Sequence, residues 1–263
     1  MDSGNGTESA ARVADVLLHF LAGNETLGVS ALGRDLGLSK AVVHRIARTL
    51  VDRDLLAVDH RTRGYRLGPA AAALGARALR DSQLRTTALP ALRELQVASG
   101  ETTTLSALVA DGRVYVDQIV SRHEIKMTVE VGRRFPLHAG SSGRAILAFL
   151  PAAERARIIS TGLEAMTPNT VVDPESLDAV LVSVRELGVA RSDGERQPGA
   201  ASVASPVFDV DGRVVGAISV CGPHARLTDK VRNNLVPDVI ATADRISREL
   251  GWSGALPAHE SAG

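Results

Sequence analysis

The chain has 263 residues and a mass of 27.6 kDa, enough for one large domain or two small ones. Hydrophobic residues make up 44% of it and charged residues 23%, which indicates a folded globular protein and excludes a disordered chain. The 30 basic residues balance 30 acidic ones. This excludes a uniformly basic coat protein, but it allows one basic part of the chain to bind DNA.

The sequence also argues against secreted, membrane-spanning and metal-binding proteins. The single cysteine, Cys221, excludes an intrachain disulfide and a site made of several cysteines. The seven histidines include no pair spaced i, i+4, so no metal site is predicted. The sequence has neither a G-x-G-x-x-G motif nor a P-loop, and no cofactor is predicted. No run of about 18 apolar residues is present, and residues 1–8 lack the basic and apolar regions of a signal peptide. We therefore expect a cytoplasmic protein without a membrane partner.

The first quarter of the chain predicts a winged helix-turn-helix. Residues 1–8 are polar and predict a disordered tail. The elements that follow are a helix from residue 12 to Gly23, a helix capped by Ser30, a turn at Gly37, a helix capped by Ser39, and strands at 55–58 and 65–67. Three helices followed by a two-stranded wing are typical of DNA-binding domains, and we assign this domain to residues 9–68.

A second domain follows a predicted linker helix. Alanines and leucines at helical spacing place the linker helix at residues 69–83. The elements predicted beyond it are a helix at 84–99, strands at 102–109, 113–120 and 125–131, helices at 143–149, 152–159 and 175–187, strands at 202–210 and 213–221, and a helix capped by Thr228 that ends near residue 250. Antiparallel strands flanked by helices predict an α+β domain at residues 84–252. The small, polar residues 253–263 predict a second disordered tail.

The third helix has the two surfaces that a recognition helix needs, one apolar and one basic. The predicted DNA contacts are its N-terminus, its outward face and the arginines of the wing, namely Ser39, Lys40, His44, Arg45, Arg48, Arg61, Arg63 and Arg66. Residues 39–66 hold seven basic and three acidic side chains, a local excess of four positive charges. The alternative is a solvated helix face, on which His44 only covers the surface. Arg53, which lies between two aspartates, is interpreted as structural.

Five segments together resemble the IclR family of bacterial transcription regulators. They are residues 36–46 (LGLSKAVVHRI), 64–68 (GYRLG), 136–145 (PLHAGSSGRA), 204–207 (ASPV) and 218–223 (ISVCGP), in the family's order and spacing. The resemblance spans residues 10–252. It implies an α+β protein with an N-terminal winged helix-turn-helix domain, a linker helix and a C-terminal GAF-like effector-binding domain. It also implies a homodimer or homotetramer on a palindromic double-stranded DNA operator, acting as a repressor or activator with a small-molecule effector, often an organic or aromatic acid.

The resemblance places an effector pocket in the second domain. The predicted pocket residues lie in the loop before the helix at residue 143 and on neighbouring strands, namely Ser141, Ser142, Gly143, Ser192, Asp193, Ser202, Ser219 and Cys221. A loop that leads into a helix offers free backbone N–H groups to a carboxylate. The chain departs from the family pattern at Ser192, where an acid is typical, and at Ser202, where a cysteine is common. Its effector could therefore differ in charge or size from those of other members.

Several alternatives stay open from the sequence alone. The small pocket residues could simply fill a tightly packed sheet, and Cys221 could be a redox sensor or an inert buried thiol. Glu195 could order its loop or contact the ligand. His138 and Ser141 could form a hydrolytic pair, although no third member of a triad is evident. The alternative functions are an enzyme whose helix-turn-helix serves oligomerisation, and a DNA-binding protein whose second domain only dimerises.

Overall fold

The computed structural model describes residues 8–256, which divide into two compact units. The first unit ends at Asp81 and the second begins at Ser82. Each unit has its own cluster of buried hydrophobic residues, as expected of separately folded domains. Within the described residues, no helix combines the length and the apolar character that crossing a membrane would require.

The first unit consists of helices around a small antiparallel hairpin. Its elements are α1 (Glu8–His19), α2 (Val29–Asp35), α3 (Lys40–Val51), β1 (Leu56–Asp59), β2 (Gly64–Leu67) and α4 (Pro69–Arg80). The apolar faces predicted for the first three helices meet in one core that includes Val16, Leu32, Val43 and Leu50. The turn between α2 and α3 depends on Gly37, whose φ of +64° lies in the region that favours glycine. The predicted winged helix-turn-helix fold is confirmed.

The two predicted N-caps in this unit have different outcomes. The Ser39 hydroxyl accepts a hydrogen bond from the N–H of Val42, so this residue caps α3 as predicted. The prediction for Ser30 is wrong, because Gly28 holds the N-cap position and Ser30 lies inside α2. The reason is tertiary. Leu27 exchanges two backbone hydrogen bonds with Tyr65, which keeps the chain extended up to the residue before Gly28.

The second unit is built on a six-stranded antiparallel sheet. Its elements are α5 (Gln83–Ser99), β3 (Thr102–Val109), β4 (Gly112–Ile119), β5 (Arg134–Pro136), α6 (Ser141–Leu147), α7 (Ala152–Ser160), α8 (Pro174–Leu187), β6 (Ala190–Asp193), β7 (Ala200–Phe208), β8 (Val214–Pro223) and α9 (Asp229–Glu249). The strand order is β5-β4-β3-β8-β7-β6. Strands from the two ends of the unit therefore pair at the centre of the sheet.

The two faces of this sheet are covered by different helices. Thr103 of β3 donates its hydroxyl proton to the Leu92 carbonyl of α5. The hydroxyl of the next residue, Thr104, is instead hydrogen-bonded to Ser219 of β8 at 2.7 Å. Because successive residues of a strand point to opposite faces, α5 covers one face and Ser219 belongs to the other. Helix α6 lies on this second face, where Ser141 bonds Ser202 of β7.

The predicted strand at residues 125–131 is wrong. This segment is irregular, and a short strand, β5, forms further along. The amide side chain of Gln118 donates to the Val129 carbonyl and accepts from the Val129 N–H. Arg226 donates to the Ile125 carbonyl. Side chains thus satisfy backbone groups that a strand would have paired with a neighbour.

Smaller differences concern helix starts and the tails. Helix α6 begins at Ser141 and not near residue 143, so the two serines predicted in the preceding loop lie in its first turn. Thr228 holds the N-cap position of α9, but its side chain makes no capping hydrogen bond. Of the predicted tails, residues 1–7 and 257–263 lie outside the described residues. Residues 253–256 have no regular secondary structure, yet Leu256 is buried in the core of the second unit.

Candidate functional site

The basic face of α3 and the wing are open to solvent. All eight residues predicted to contact DNA are exposed. The opposite face of α3 is buried in the core. Six of the eight carry a permanent positive charge, and none of these six forms an ion pair with a residue that the structure describes. Their charges are therefore available to phosphates or base edges.

The wing owes its shape to an aspartate. The Asp59 carboxylate accepts hydrogen bonds from the backbone N–H groups of Thr62 and Arg61, at 2.8 and 2.9 Å. These bonds, that of Thr62 above all, hold the pKa of Asp59 below its ordinary value. Arg63 completes the turn with a φ of +55°. The result is an ordered turn between β1 and β2 that carries two exposed arginines at its tip.

A narrow cavity lies on the α6 side of the large sheet. The space open to the centres of water molecules is about 30 Å³, which is room for about two or three waters. Six of the eight predicted effector residues line it, namely Ser141, Ser142, Ser192, Ser202, Ser219 and Cys221. The sheet register explains part of this set, since Ser192, Ser202 and Cys221 are direct partners across three strands. Residues paired directly in this way share one face of the sheet.

Gly143 and Asp193, also predicted to bind the effector, do not line the cavity. A Cβ at position 143 would lie 2.5 Å from the Leu137 carbonyl oxygen, so this glycine serves the close packing of α6 against the preceding loop. Asp193 follows Ser192 in β6 and takes the opposite side of the strand. Its carboxylate pairs with His224 at 2.8 Å and with Arg232 at 3.2 Å.

Glu195 orders the loop beside the cavity. Its buried carboxylate pairs with the Arg144 guanidinium at 2.6 Å and accepts the Gly140 N–H at 3.3 Å. Burial raises the pKa of Glu195 above its ordinary value, although Arg144 and the Gly140 N–H oppose that rise. Because Glu195 already takes an N–H at the start of α6, the geometry favours the loop-ordering role over ligand contact.

The buried Arg144–Glu195 pair predicts strong coupling between two substitutions. Arg144→Met or Glu195→Gln alone leaves a buried partner uncompensated, which we expect to cost about 3 kcal/mol of unfolding free energy. The double variant should cost clearly less than the sum of the single variants. Urea unfolding of the wild type, the two single variants and the double variant measures these free energies. Additive costs would show that the two side chains do not stabilise each other.

Arg113 of β4 is a buried charge without an acidic partner. It is only 1% exposed and lines the cavity. It donates to the hydroxyls of Ser106 and Tyr115, both at 3.2 Å, while its Nε has no hydrogen-bond partner among the described residues. Its guanidinium carbon lies 4.4 Å from the Tyr115 ring centre, within the range of a cation–π contact. Burying a charge is costly unless an opposite charge is near, so this arrangement favours an anionic ligand.

An irregular segment, residues 121–131, closes one side of the cavity through Met127. Thr102 donates its hydroxyl proton to the Met127 carbonyl at 2.7 Å. Arg226, paired with the buried Glu101, reaches the Ile125 carbonyl at 2.8 Å. Side chains from β3 and from the turn after β8 thus hold this segment in place, as Gln118 of β4 does at Val129.

The cavity thiol has the properties of an unreactive cysteine. Burial raises the pKa of Cys221 to about 12, although the nearby Arg196 and Arg113 oppose that rise. The thiolate fraction at pH 8 is then about a thousandfold lower than for an ordinary cysteine. We therefore expect iodoacetamide to alkylate the folded protein at least a hundredfold more slowly than the urea-unfolded chain, measured by intact mass. Comparable rates would favour the redox-sensor alternative.

The structure does not bring together the groups that a hydrolase would need. The Ser141 hydroxyl is bonded to Ser202 at 2.7 Å. The Nε2 atom of His138 lies 2.9 Å from the Glu164 carbonyl oxygen, to which it donates. Across residues 8–256, no three histidine, cysteine or acidic side chains are grouped in a way that would hold a metal ion.

Sequence reasoning missed four large side chains of the cavity, namely Arg113, Tyr115, Met127 and Arg196. Arg113 and Tyr115 alternate with valines along β4, a pattern that reads as the solvent face of a strand. No local signal in the sequence marks them as buried, because Asp111 stands two residues before Arg113 and Asp117 two residues after Tyr115.

Comparisons with known proteins match both units. The family described as "IclR helix-turn-helix domain" matches residues 9–60, and "Bacterial transcriptional regulator IclR C-terminal" matches residues 76–248. The chain is 32% identical to the HTH-type transcriptional regulator BhcR of Paracoccus denitrificans, over 94% of this chain and 88% of that protein.

Two solved structures extend this similarity to the fold. A putative IclR-type transcriptional regulator from a Silicibacter species has a TM-score of 0.83 and 29% identity, covering 93% of this chain and 97% of that one. An IclR homolog from Microbacterium hydrocarbonoxydans, complexed with 4-hydroxybenzoate, has a TM-score of 0.70 and 27% identity. The comparison covers 92% of this chain and 99% of the Microbacterium protein.

Proposed function

Because the chain belongs to the IclR family of bacterial transcriptional regulators, we propose that it binds a palindromic operator as a homodimer or homotetramer in the cytoplasm. A small organic acid in the cavity of the second unit changes its affinity for that DNA. The relatives are named as transcriptional regulators, so the chain is a DNA-binding regulator and not an enzyme. The observation that carries the ligand part is Arg113, a buried cation that faces the cavity without an acidic partner.

The charge distribution of the first unit supports operator binding. The cationic side chains of α3 and the wing are exposed and unpaired in the described part of the chain. A dimer would place two such helices in successive major grooves, about 34 Å apart. Contacts to phosphate release counterions, so the affinity should fall steeply as salt increases.

The exposed helix α4 supports self-association. No residue of Pro69–Arg80 is buried, and Leu74 is 64% exposed. Helices of about 12 residues are marginal in water without packing, and a second copy of the chain would supply that packing. We expect Leu74→Glu to lower the mass measured by light scattering after gel filtration. Val210→Glu, which changes another exposed apolar side chain, should leave the mass unchanged; a similar decrease for both variants would remove this support.

The ligand can act only by binding two conformations of the protein with different affinities. A full change from mostly bound to mostly released DNA needs about 5.5 kcal/mol of differential binding. With two cavities per dimer, each would supply roughly half of that free energy. The size of the cavity limits the ligand to a few non-hydrogen atoms, or to a larger acid if lining side chains move.

The test is fluorescence anisotropy on the DNA that flanks the gene, at fixed salt, with and without a panel of carboxylic acids. We expect saturable binding to one fragment and a change of at least about tenfold in Kd, or 1.4 kcal/mol, with one acid. Binding that no acid changes would favour the alternative in which the second unit only dimerises. A folded protein that binds none of the fragments would contradict operator binding next to its own gene.

A further inference from the structure

This inference rests on the proposed function and concerns the charge of the effector. We propose that the acid is a small dicarboxylate of two to four carbons, held by Arg113 at one carboxylate and by Arg196 at the other. Arg113 alone would suit any acid, whereas a second cation, Arg196, suits an acid with two carboxylates.

The cavity has two cations and no anion. Arg113 and Arg196 both line it, while no aspartate or glutamate among the described residues does. Neither arginine forms an ion pair with a residue of the described chain, and Arg196 makes no hydrogen bond there either. The nearest acidic residue in sequence, Glu195, is already paired with Arg144. Two unpaired positive charges are best matched by a ligand that carries two negative charges.

The two guanidinium groups approach the same pair of aromatic rings. The rings of Tyr115 and Phe135 pack edge to face, with centres 5.5 Å apart. The guanidinium carbon of Arg113 lies 4.4 Å from the Tyr115 centre and 5.3 Å from that of Phe135. For Arg196 the distances are 5.8 and 5.1 Å. Shared rings keep two like charges close together, and an anion that contacts both relieves their repulsion.

The loop backbone fixes the position of Arg196. Arg196 follows Glu195, whose carboxylate is held by Arg144 and whose carbonyl accepts hydroxyl protons from Thr167 and Thr170. Gly140 lies between the arginines, because a Cβ added to it would contact both the Arg196 Cβ and an Arg113 terminal nitrogen. The loop thus positions Arg196 before any ligand arrives, which reduces the entropy cost of binding.

The remaining lining suits the oxygen atoms of such a ligand. The Ser141 and Ser202 hydroxyls share one hydrogen bond, which uses one of their two protons, so the other proton can be donated to a carboxylate oxygen of a ligand. Diacids of two to four carbons are larger than the two or three waters for which the cavity has room, so lining side chains have to move to admit them, and longer diacids would require larger movements. Inorganic phosphate shares the double negative charge, but two separate arginines favour two separate anionic ends over one compact centre.

The test is isothermal titration calorimetry on the full chain with matched acids. Oxalate, malonate and succinate are compared with acetate, propionate and butyrate, and inorganic phosphate is a separate arm. We expect at least one diacid to bind about tenfold or more tightly than the monoacid of equal length. Arg196→Gln should abolish that preference, because it should lower the affinity for diacids about tenfold more than the affinity for monoacids. Arg133→Gln is the matched control, since Arg133 contacts Phe135 at 5.0 Å but does not line the cavity.

The outcomes separate this inference from the proposed function. If monoacids bind as tightly as diacids or more tightly, and change the operator affinity, the proposal that the ligand is a dicarboxylate is wrong. The proposed function as an acid-responsive regulator then still holds. Binding of phosphate without binding of any diacid also overturns it. If no acid binds and none changes operator affinity, the ligand part of the proposed function fails as well. Arg113→Lys, which keeps the charge, should retain the preference for diacids in a weakened form.

Discussion

The double substitution Arg45→Ala/Arg48→Ala is expected to lower operator affinity by at least about a hundredfold at fixed salt. Both side chains are exposed on α3, opposite its buried face, and neither is neutralised by a described acidic residue. Loss of one arginine that contacts a base or phosphate costs about 1–3 kcal/mol, and each protomer loses two. Fluorescence anisotropy with the operator fragment measures the change.

The matched control removes the same net charge elsewhere. Arg213→Ala/Arg248→Ala changes two exposed arginines of the second unit, and we expect its operator affinity to stay within about threefold of the wild type. Equal losses in both variants would mean that net charge, and not the surface of α3, drives binding. If Arg45 and Arg48 contact phosphates, the slope of log K against log salt should also become shallower in their variant alone.

The first unit was predictable because its signals are local. Apolar residues repeat at helical spacing, and Ser39 and Gly37 mark the start of α3 and the turn before it. Ser30 was mistaken for a cap because it is a good capping residue. The true start of α2 is set by a backbone bridge between Leu27 and Tyr65, residues far apart in sequence, which no local pattern contains.

In the second unit, local sequence patterns did not predict all of the strands correctly. Residues 125–131 alternate enough to predict a strand, but the side chain of Gln118 takes the hydrogen bonds of Val129. Strand β6 was not predicted, since its four residues are too few for a period to emerge. Both errors concern the edges of the sheet, where the choice between strand and loop depends on tertiary contacts.

The residues of the candidate effector site also fall into two groups, those that were predicted from the sequence and those that were not. Its serines came from the resemblance to a family, and the register of β6, β7 and β8 brings three of the predicted residues into one row. Arg113 could not be identified from sequence, because an arginine that alternates with valines is normal on a solvated strand face. Only the segment that covers it, together with α6, turns this position into a buried one.

Gly143→Ala is expected to destabilise the second unit by about 3 kcal/mol. At a solvent-exposed helix position this change would stabilise the protein, because alanine loses less backbone entropy on folding than glycine does. Here the added Cβ would lie 2.5 Å from the carbonyl oxygen of Leu137 and 3.0 Å from its Cα. These are backbone atoms of a fully buried residue, so no side-chain rotation relieves the contact. Helix α6 has to move away from the loop that precedes it.

The measurement is thermal unfolding of the full chain by calorimetry. We expect the transition of the second unit to fall by about 6–12 °C, given the size of that unit. Gly75→Ala in α4 is the control, because it adds the same methyl group in the first unit, with nothing within 4 Å of the added Cβ, and it should leave the transition of the second unit unchanged. The same displacement of α6 shifts Ser141 and Ser142, so acid binding should weaken in Gly143→Ala below its unfolding temperature. A variant as stable as the wild type would mean that α6 can move away from Leu137 at no cost, and its serines would then not be fixed in place for a ligand.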